Sequence, residues 1–177
     1  MTFGIDETKA FIPVTIAVLI ISDTRTLDTD TSGKTLEERI KAAGHNFHGR
    51  AIVTDDIQDI RAAMNAYIDR PDIDVVITSG GTGLTGRDIT PEAIRPLLEK
   101  TIDGFSVIFH HVSFQTIGLS TLQSRAFAGL AKNTFIFCLP GSTGAVKDGW
   151  DKVISSQIDN RYRPCNMAEL MPRLSET

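Results

Sequence analysis

Four runs of consecutive apolar, largely β-branched residues are spaced along the chain. Such continuous hydrophobicity is typical of strands that are covered on both faces, as in a parallel sheet between layers of helices. The predicted strands are Val14–Ser22, Arg50–Thr54, Asp74–Ser79 and Thr134–Leu139.

The segments between these strands carry apolar residues at helical spacing. After the first strand, Leu36, Ile40 and Ala43 fall on one face, and Gly44 is placed to end that helix. Thr90 is in position to cap another helix, with Pro91 at its first position and Glu92 in its first turn. The remaining predicted helices are Ile57–Ile68 before Pro71, Phe105–Gln115 and Val146–Ile158.

The alternation of strands and helices predicts βαβ units. We therefore expect an α/β fold, a single domain over residues 1–177, with a doubly wound, mostly parallel sheet and helices on both faces. The segment Ile117–Asn133 is rich in small residues and fits no element clearly. The sequence is compatible with a short helix, a hairpin or an oligomer contact in this segment.

The composition narrows the class of protein. Hydrophobic residues make up 41% and charged residues 23%, as in ordinary globular domains. The net charge of −4 argues against a nucleic-acid partner held mainly by its phosphates. The apolar stretch Val14–Ile21 is too short to cross a bilayer, and Asp6 and Glu7 precede it, so we expect no membrane association and a cytoplasmic location. Cys138 and Cys165 lack the spacing of a disulfide scaffold or a zinc site.

The strongest sign of a binding site is the segment Thr78-Ser79-Gly80-Gly81-Thr82-Gly83, which continues directly from the third predicted strand. In open α/β sheets, ligands bind beyond the carboxyl ends of the strands. Glycines let the backbone approach an anion closely and expose N–H groups to it, while hydroxyl side chains add donors. A plain turn needs fewer glycines, and the segment has neither the lysine of a P-loop nor the spacing of a dinucleotide fingerprint. We interpret it as a site for the phosphate of a small ligand.

Acidic residues stand near two of these turns. Asp55 and Asp56 follow the second predicted strand, and Arg87 and Asp88 precede the helix that begins near Thr90. Carboxylates are natural ligands of Mg²⁺, which usually takes one or two of them together with substrate phosphates. Asp56 is placed to cap the next helix, which leaves Asp55 for function. The pair of Arg87 and Asp88 suits a phosphate and a metal ion, with an exposed charged loop as the alternative.

Three further turns contain groups that suit either a helix cap or a phosphate: Ser22-Asp23, Thr31-Ser32-Gly33 and Pro140-Gly141-Ser142. In a parallel sheet all of these turns lie at the same edge. The sequence therefore predicts one large cleft.

Taken together, the motifs resemble the MoaB/MogA family of molybdenum-cofactor biosynthesis proteins over nearly the whole chain. The segment Arg161-Tyr162-Arg163-Pro164-Cys165-Asn166 resembles the MoaB branch of that family. The other matching motifs are Ile21-Ser22-Asp23, Asp30-Thr31-Ser32-Gly33, Ser79-Gly80-Gly81-Thr82-Gly83, Asp88-Ile89-Thr90-Pro91-Glu92, Ser124-Arg125 and Leu139-Pro140-Gly141-Ser142.

The resemblance implies a reaction and an assembly. Its ligand is molybdopterin, a pterin with a dithiolene group, whose terminal phosphate is adenylylated with ATP as co-substrate and Mg²⁺ as the metal. The family is typically a homotrimer, and its MoaB branch often a homohexamer. A non-catalytic pterin-binding or carrier protein of the same pathway is the alternative.

The resemblance also implies roles for particular residues. The two acidic positions of active members fall on Asp55 and Asp88, which are therefore the expected catalytic residues and metal ligands. Gly144 stands where members often carry a lysine, and Lys147 is the nearest lysine. The expected substrate-binding residues are Ser22, Asp23, Ser32, Gly33, Thr78, Ser79, Gly80, Gly81, Thr82, Gly83, Arg125, Pro140, Gly141 and Ser142.

Overall fold

A six-stranded sheet forms the centre of the computed structural model, which describes residues 3–176. The strand order is β3-β2-β4-β7-β6-β5, and a separate two-stranded ribbon pairs β1 with β8. Strands β3, β2, β4 and β7 are parallel, whereas β6 runs antiparallel to both of its neighbours. The strands are β1 Gly4–Ile5, β2 Thr15–Ile21, β3 Asn46–Val53, β4 Val75–Ser79, β5 Lys100–Thr101, β6 Phe127–Ala131, β7 Thr134–Leu139 and β8 Tyr162–Arg163.

Helices cover both faces of this sheet. A π-helical turn, Trp150–Ile154, joins α5 to α6, and short 3₁₀ helices occupy Arg95–Leu97, Gly118–Gln123 and Ala168–Arg173. No helix within residues 3–176 combines the length and the apolar character needed to span a membrane. The α-helices are α1 Thr31–Ala42, α2 Ile57–Ile68, α3 Thr90–Ile94, α4 Asp103–Ile117, α5 Thr143–Gly149 and α6 Ser155–Gln157.

Two hydrophobic cores lie on opposite faces of the sheet because successive side chains of a strand point to opposite sides. Ile16, Val18 and Ile20 of β2 pack with α1, α4 and α5 on one face. Ala17 and Leu19 of the same strand pack with α2 and α3 on the other. This confirms the predicted α/β class, the mostly parallel sheet and the helices on both faces.

The structure corrects some local predictions. Ile117–Asn133 contains the 3₁₀ helix Gly118–Gln123 followed by β6. Ala43, predicted on the buried face of α1, is its exposed C-cap. Thr90 is not a cap, because it is the first helical residue and its hydroxyl donates to the carbonyl of Gly80 instead (2.8 Å).

The chain order places a switch point between β2 and β4. From β2 the chain crosses to β3 on one side and then returns to β4 on the other. At such a point the connections after adjacent strands diverge and leave a crevice at the carboxyl edge of the sheet. The segments that follow β2, β3, β4 and β7 all meet there.

Candidate functional site

The turns after these four parallel strands line one cavity of about 640 Å³. It contains all but three of the residues that the sequence analysis assigned to the site. The assigned residues that line it are Ser22, Asp23, Ser32, Asp55, Ser79, Gly80, Gly81, Thr82, Gly83, Asp88, Pro140, Gly141 and Ser142.

The glycine-rich turn after β4 is held by its carbonyl oxygens. The carbonyls of Gly80 and Gly81 accept hydrogen bonds from the Thr90 hydroxyl (2.8 Å) and the Thr90 N–H (2.9 Å). Those of Thr82 and Gly83 accept from the Arg125 N–H and the Arg125 Nε, each at 2.8 Å. Across a trans peptide, the C=O of one residue and the N–H of the next point in opposite directions. The N–H groups of Gly81, Thr82 and Gly83 are therefore turned away from these donors. That of Gly83 donates to the Asp88 carboxylate, which leaves those of Gly81 and Thr82 for an anion.

Close packing explains the glycines of this turn. Gly80 has φ +117°, and a Cβ added there would lie 2.1 Å from the carbonyl oxygen of Ile21. Gly81 has φ +63°, and its added Cβ would lie 2.3 Å from the Thr90 hydroxyl oxygen. No side chain fits at either position without displacing its neighbours. The turn thus holds β2, β4 and α3 together at the cavity.

Asp23 and Asp55 join the ends of β2 and β3. The N–H of Asp23 donates to Asp55 Oδ2 (3.2 Å), and the N–H of Asp55 donates to Asp23 Oδ1 (3.1 Å). Burial raises the pKa of Asp55, and the negative charge of Asp88 raises it further. Asp55 and Asp88 are therefore close enough to interact electrostatically, and their combined negative charge faces the cavity.

Asp88 is held differently. Its Oδ2 accepts from the N–H (2.9 Å) and the hydroxyl (2.6 Å) of Thr85. Burial acts to raise the pKa of Asp88, but hydrogen bonds from Thr85 and Gly83 and the charge of Arg125 lower it overall. Asp88 is consequently a fixed anion within a hydrogen-bonded loop, whereas Asp55 carries an unfavourable charge.

Two arginines line the same cavity. Arg87, which the sequence analysis had paired with Asp88, forms an ion pair with Asp23 and is otherwise exposed. Arg25 also lines the cavity, and sequence reasoning missed it. Both lie in loops, so only the fold shows that they border the acidic residues.

Several hydroxyl groups predicted to bind phosphate hold the turns in shape. Ser79 and Ser32 donate to the carbonyls of Pro140 and Gly141, each at 3.1 Å. Ser142 caps α5 by accepting from the N–H of Ala145, and Ser22 accepts from the N–H groups of Thr24 and Arg25. These contacts position the backbone around the cavity, and binding by the hydroxyls themselves stays a prediction.

Three predicted site residues do not line the cavity. Gly33 lies beneath it, where an added Cβ would lie 2.1 Å from Asp30 Oδ2 and 2.5 Å from Arg50 Cδ. Thr78 is fully buried within β4. Arg125 lies behind the glycine turn, where its guanidinium donates to the carbonyls of Gly83 (2.8 Å) and Asp88 (2.6 Å) and pairs with Glu92. Their structural surroundings therefore favour support of the site over contact with a ligand.

We expect Arg125→Lys to lower the free energy of unfolding by about 1–2 kcal/mol, because a lysine lacks the planar fork that serves three acceptors at once. Urea denaturation measures this change. The matched control is Arg70→Lys, at an arginine whose pair with Asp72 is largely exposed, and it should change stability little. Equal effects of the two substitutions would contradict the role of Arg125 as a clamp.

One side of the cavity was missed by the sequence analysis. Phe109, Ser113 and Ile117 of α4 line it together with Ser120 and Thr121 of the following 3₁₀ helix. The apolar periodicity of α4 predicts a buried face but does not show where that face lies relative to the strand ends. Only the packing of α4 on the sheet brings these residues to the site.

The carboxylate oxygens of Asp55 and Asp88 suit a hard cation such as Mg²⁺. Within residues 3–176 no group of three or more His, Cys, Asp or Glu side chains is arranged to hold a metal ion by itself. Magnesium is usually held by one or two carboxylates with the remaining ligands from phosphates and water. Asp55 and Asp88 would supply the two carboxylate ligands of such a site.

The fold and the cavity define an α/β protein with a candidate ligand site at the switch point of its sheet. A family model described as a probable molybdopterin-binding domain matches residues 17–160. Molybdenum cofactor biosynthesis protein B of Escherichia coli strain K12 is 47% identical over 156 residues, which cover 88% of this chain and 92% of that relative.

Solved structures agree with this match. A crystal structure of a molybdenum cofactor biosynthesis protein B aligns with a TM-score of 0.85 and 38% identity, covering 96% of this chain and 100% of that one. The tungsten cofactor synthesizing protein MoaB from Pyrococcus furiosus aligns with a TM-score of 0.74 and 33% identity, covering 82% and 92%. This chain belongs to the molybdenum cofactor biosynthesis family of molybdopterin-binding domains, which confirms the resemblance drawn from its motifs.

Proposed function

We propose that this protein adenylylates molybdopterin with Mg-ATP in the cytoplasm. An oxygen of the molybdopterin phosphate attacks the α-phosphorus of ATP. A phosphoanhydride bond forms, the bond between the α- and β-phosphates breaks, and pyrophosphate leaves with its electron pair. Such a transfer needs alignment and neutralisation of charge more than it needs a strong base.

The observation that carries the proposal is that both carboxylates lie next to the glycine turn. A Cβ added at Gly81 would lie 3.3 Å from Asp55 Oδ1, and one added at Gly83 would lie 2.7 Å from Asp88 Oδ2. A phosphate resting on the N–H groups of this turn is therefore within reach of both acidic side chains.

Charge balance supports the presence of a cation. Asp23, Asp55 and Asp88 face the cavity. Burial raises the pKa of Asp55, and the negative charge of Asp88 raises it further. Phosphates would add to the repulsion. A magnesium ion held by Asp55 and Asp88 would neutralise this charge and polarise the phosphates.

The chain's own groups would supply the alignment. The N–H groups of Gly81 and Thr82 would hold a phosphate, and Arg87 is placed to exchange Asp23 for a ligand phosphate. Arg125 would keep the turn and Asp88 in register from behind, through the contacts described above. Donors fixed before the ligand arrives lose little freedom when charge develops on it.

Pyrophosphate release tests the proposal. Purified protein with molybdopterin and Mg-ATP should release one pyrophosphate for each adenylylated pterin, and omission of either substrate should stop the release. A non-catalytic carrier would bind molybdopterin and release none. Binding without pyrophosphate would thus overturn the proposed reaction in favour of the carrier.

We also propose that the protein is a closed homo-oligomer, a trimer or a hexamer. The phenylalanines Phe105, Phe109 and Phe127 are buried in the chain's own core, whereas Phe114 is 52% exposed. An apolar face remains along α4 and the 3₁₀ helix after it. Its exposed members are Val107, Ile108, Phe114, Ile117, Leu119 and Leu122. Apolar patches of this kind commonly mark protein interfaces.

Light scattering after size-exclusion chromatography should give three or six times the 19.3 kDa of one chain. Leu119 and Leu122 are each 72% exposed, so the double substitution Leu119→Glu and Leu122→Glu should dissociate the assembly without disturbing the core. The control is Leu170→Glu, at an exposed leucine elsewhere on the chain. A wild-type peak at the mass of a single chain at micromolar concentration would contradict the assembly.

A further inference from the structure

His110 lies on α4 outside the cavity. Its neighbour Phe109 lines the cavity, whereas His110 does not. The partly buried His110 ring instead borders a separate depression of about 480 Å³, together with Ser124 and Arg125. Because His110 cannot touch a ligand in the cavity, any effect that it has on the site must pass through other residues.

Both ring nitrogens of His110 make hydrogen-bonding contacts. Nδ1 lies 2.6 Å from the carbonyl oxygen of Ser106, one helical turn earlier, and 3.3 Å from the Ser106 hydroxyl. The hydroxyl can donate to Nδ1 and the carbonyl can accept from it, so this anchor orients the ring with or without a hydrogen on Nδ1. Nε2 lies 3.0 Å from the carbonyl oxygen of Ser124. A carbonyl oxygen can only accept, so the Nε2–H of His110 is the donor.

The carbonyl of Ser124 belongs to the same planar peptide unit as the N–H of Arg125. That N–H donates to the carbonyl of Thr82 in the glycine turn (2.8 Å). His110 and Thr82 therefore hold this peptide unit from opposite sides. Because the unit is planar, a contact that fixes the direction of its C=O also fixes the direction of its N–H.

The same arrangement is repeated in the next peptide unit. The carbonyl of Thr82 shares a peptide unit with the N–H of Gly83, and that N–H donates to the Asp88 carboxylate. A continuous chain of hydrogen bonds thus runs from His110 through two peptide units to Asp88. Each bond in such a chain polarises the next, so the loss of the first bond weakens those that follow.

We infer that His110 is a positioning residue of the site, which acts through these two peptide units to hold Asp88 in place. Its effect on catalysis rests on the proposed function, in which Asp88 is a magnesium ligand, whereas its effect on the glycine turn does not. The guanidinium of Arg125 holds the carbonyl of Gly83. His110 orients the backbone of the same arginine, so the turn depends on both residues.

Amide hydrogen exchange of the ligand-free protein, followed by NMR at the N–H of Gly83, tests this chain of hydrogen bonds. We expect exchange at Gly83 to become about tenfold faster in His110→Ala, as for the loss of one hydrogen bond. His110→Gln should restore slow exchange, because a glutamine amide extends about as far as the imidazole Nε2 and can donate to the Ser124 carbonyl. The matched control is His111→Ala, at the exposed neighbouring histidine that contacts the side chain of Gln115 (3.4 Å).

Steady-state kinetics test the consequence for the reaction. Misplacement of Asp88 in His110→Ala should lower kcat for pyrophosphate release by about tenfold, and the KM for molybdopterin should change by no more than about threefold. His110→Gln should recover the wild-type kcat. A higher KM with an unchanged kcat would overturn the inference, because it would assign His110 to ligand binding.

The exchange data distinguish this inference from a general loss of stability and from the proposed function. Faster exchange in His110→Ala throughout the central strands β2 and β4 would overturn the inference, because the substitution would then destabilise the whole fold. Unchanged exchange at Gly83, or failure of His110→Gln to restore it, would also overturn it. A wild-type protein that releases no pyrophosphate would overturn the proposed reaction alone, and exchange at Gly83 would still decide the role of His110.

Discussion

Asp55→Asn and Asp88→Asn are each expected to lower the rate of pyrophosphate release by about 10³-fold or more. A metal ion or fixed donor that stabilises transferring phosphates contributes several kcal/mol to the transition state, which corresponds to a change of this size. Asparagine keeps the shape of each side chain and removes its charge. The measurement is the single-turnover rate with saturating molybdopterin and Mg-ATP.

The control for these variants is Asp56→Asn, next to Asp55 in the chain. Asp56 caps α2 by accepting from the N–H groups of Gln58 and Asp59, and asparagine is an equally good cap. The rate of pyrophosphate release by the Asp56→Asn variant should equal that of the wild-type protein. Full activity in Asp55→Asn or Asp88→Asn would refute the assignment of these carboxylates.

The melting temperature provides an independent test of this site. We expect Asp55→Asn and Asp88→Asn to change it in opposite directions. The folded-state pKa of Asp55 is raised, so the folded chain favours its protonated form and loses stability as pH rises through that pKa. Asp55→Asn should therefore raise the melting temperature of the ligand-free protein at neutral pH. The pKa of Asp88 is lowered, so its charge contributes stability above its unfolded pKa that is lost as pH falls. Asp88→Asn should lower the melting temperature at neutral pH.

These signs test the site without any ligand. Melting curves over a series of decreasing pH values should show each difference shrinking as the wild-type carboxyl becomes protonated. For Asp55 this occurs above the usual pKa of an aspartate, and for Asp88 it is complete only below that pKa. Two shifts of the same sign at pH 7 would contradict this electrostatic account of Asp55 and Asp88.

Gly80→Ala is expected to lower the free energy of unfolding by about 3 kcal/mol or more. The methyl group would lie 2.1 Å from the backbone carbonyl oxygen of Ile21, and the residue would keep a φ of +117° that L side chains rarely adopt. Backbone atoms at the end of a central strand have little room to yield, so both effects add. Urea denaturation of the purified protein measures the loss.

The same loop offers a matched control for this substitution. Gly86 has no heavy atom within 4 Å of an added Cβ, so Gly86→Ala should leave the denaturation midpoint nearly unchanged. An equal midpoint for Gly80→Ala and the wild-type protein would show that the turn yields easily. The rigid cradle proposed for the phosphate would then be wrong.

The features predicted correctly from the sequence are those that depend on residues close together in the chain. Strand β7 has the predicted bounds Thr134–Leu139, and β4 differs by one residue from the predicted Asp74–Ser79. Asp56 caps α2 as predicted. In each case the signal is local, because a β-branched run, a cap or a glycine turn acts within a few residues.

Packing between segments that are distant in the chain accounts for the differences between the predicted and the observed structure. Strand β6 was missed because Phe127-Ala128-Gly129-Leu130-Ala131 has weak strand character and is stabilised by its partner β7. Thr90 was expected to cap its own helix, but its hydroxyl reaches Gly80, ten residues away in the chain. A propensity describes what a residue favours locally, and a tertiary contact can override it.

The sequence by itself determined the α/β alternation, the glycine turn and the acidic residues at the strand ends, since parallel strands bring such turns to one edge. Only the tertiary structure decided which groups stand behind that edge and which close the cavity. Arg125 lies 42 residues from Gly83 in the chain and yet clamps it, and Thr121 reaches the cavity through the packing of α4. Contacts between distant segments depend on how whole elements pack, and no local pattern in the chain specifies that packing.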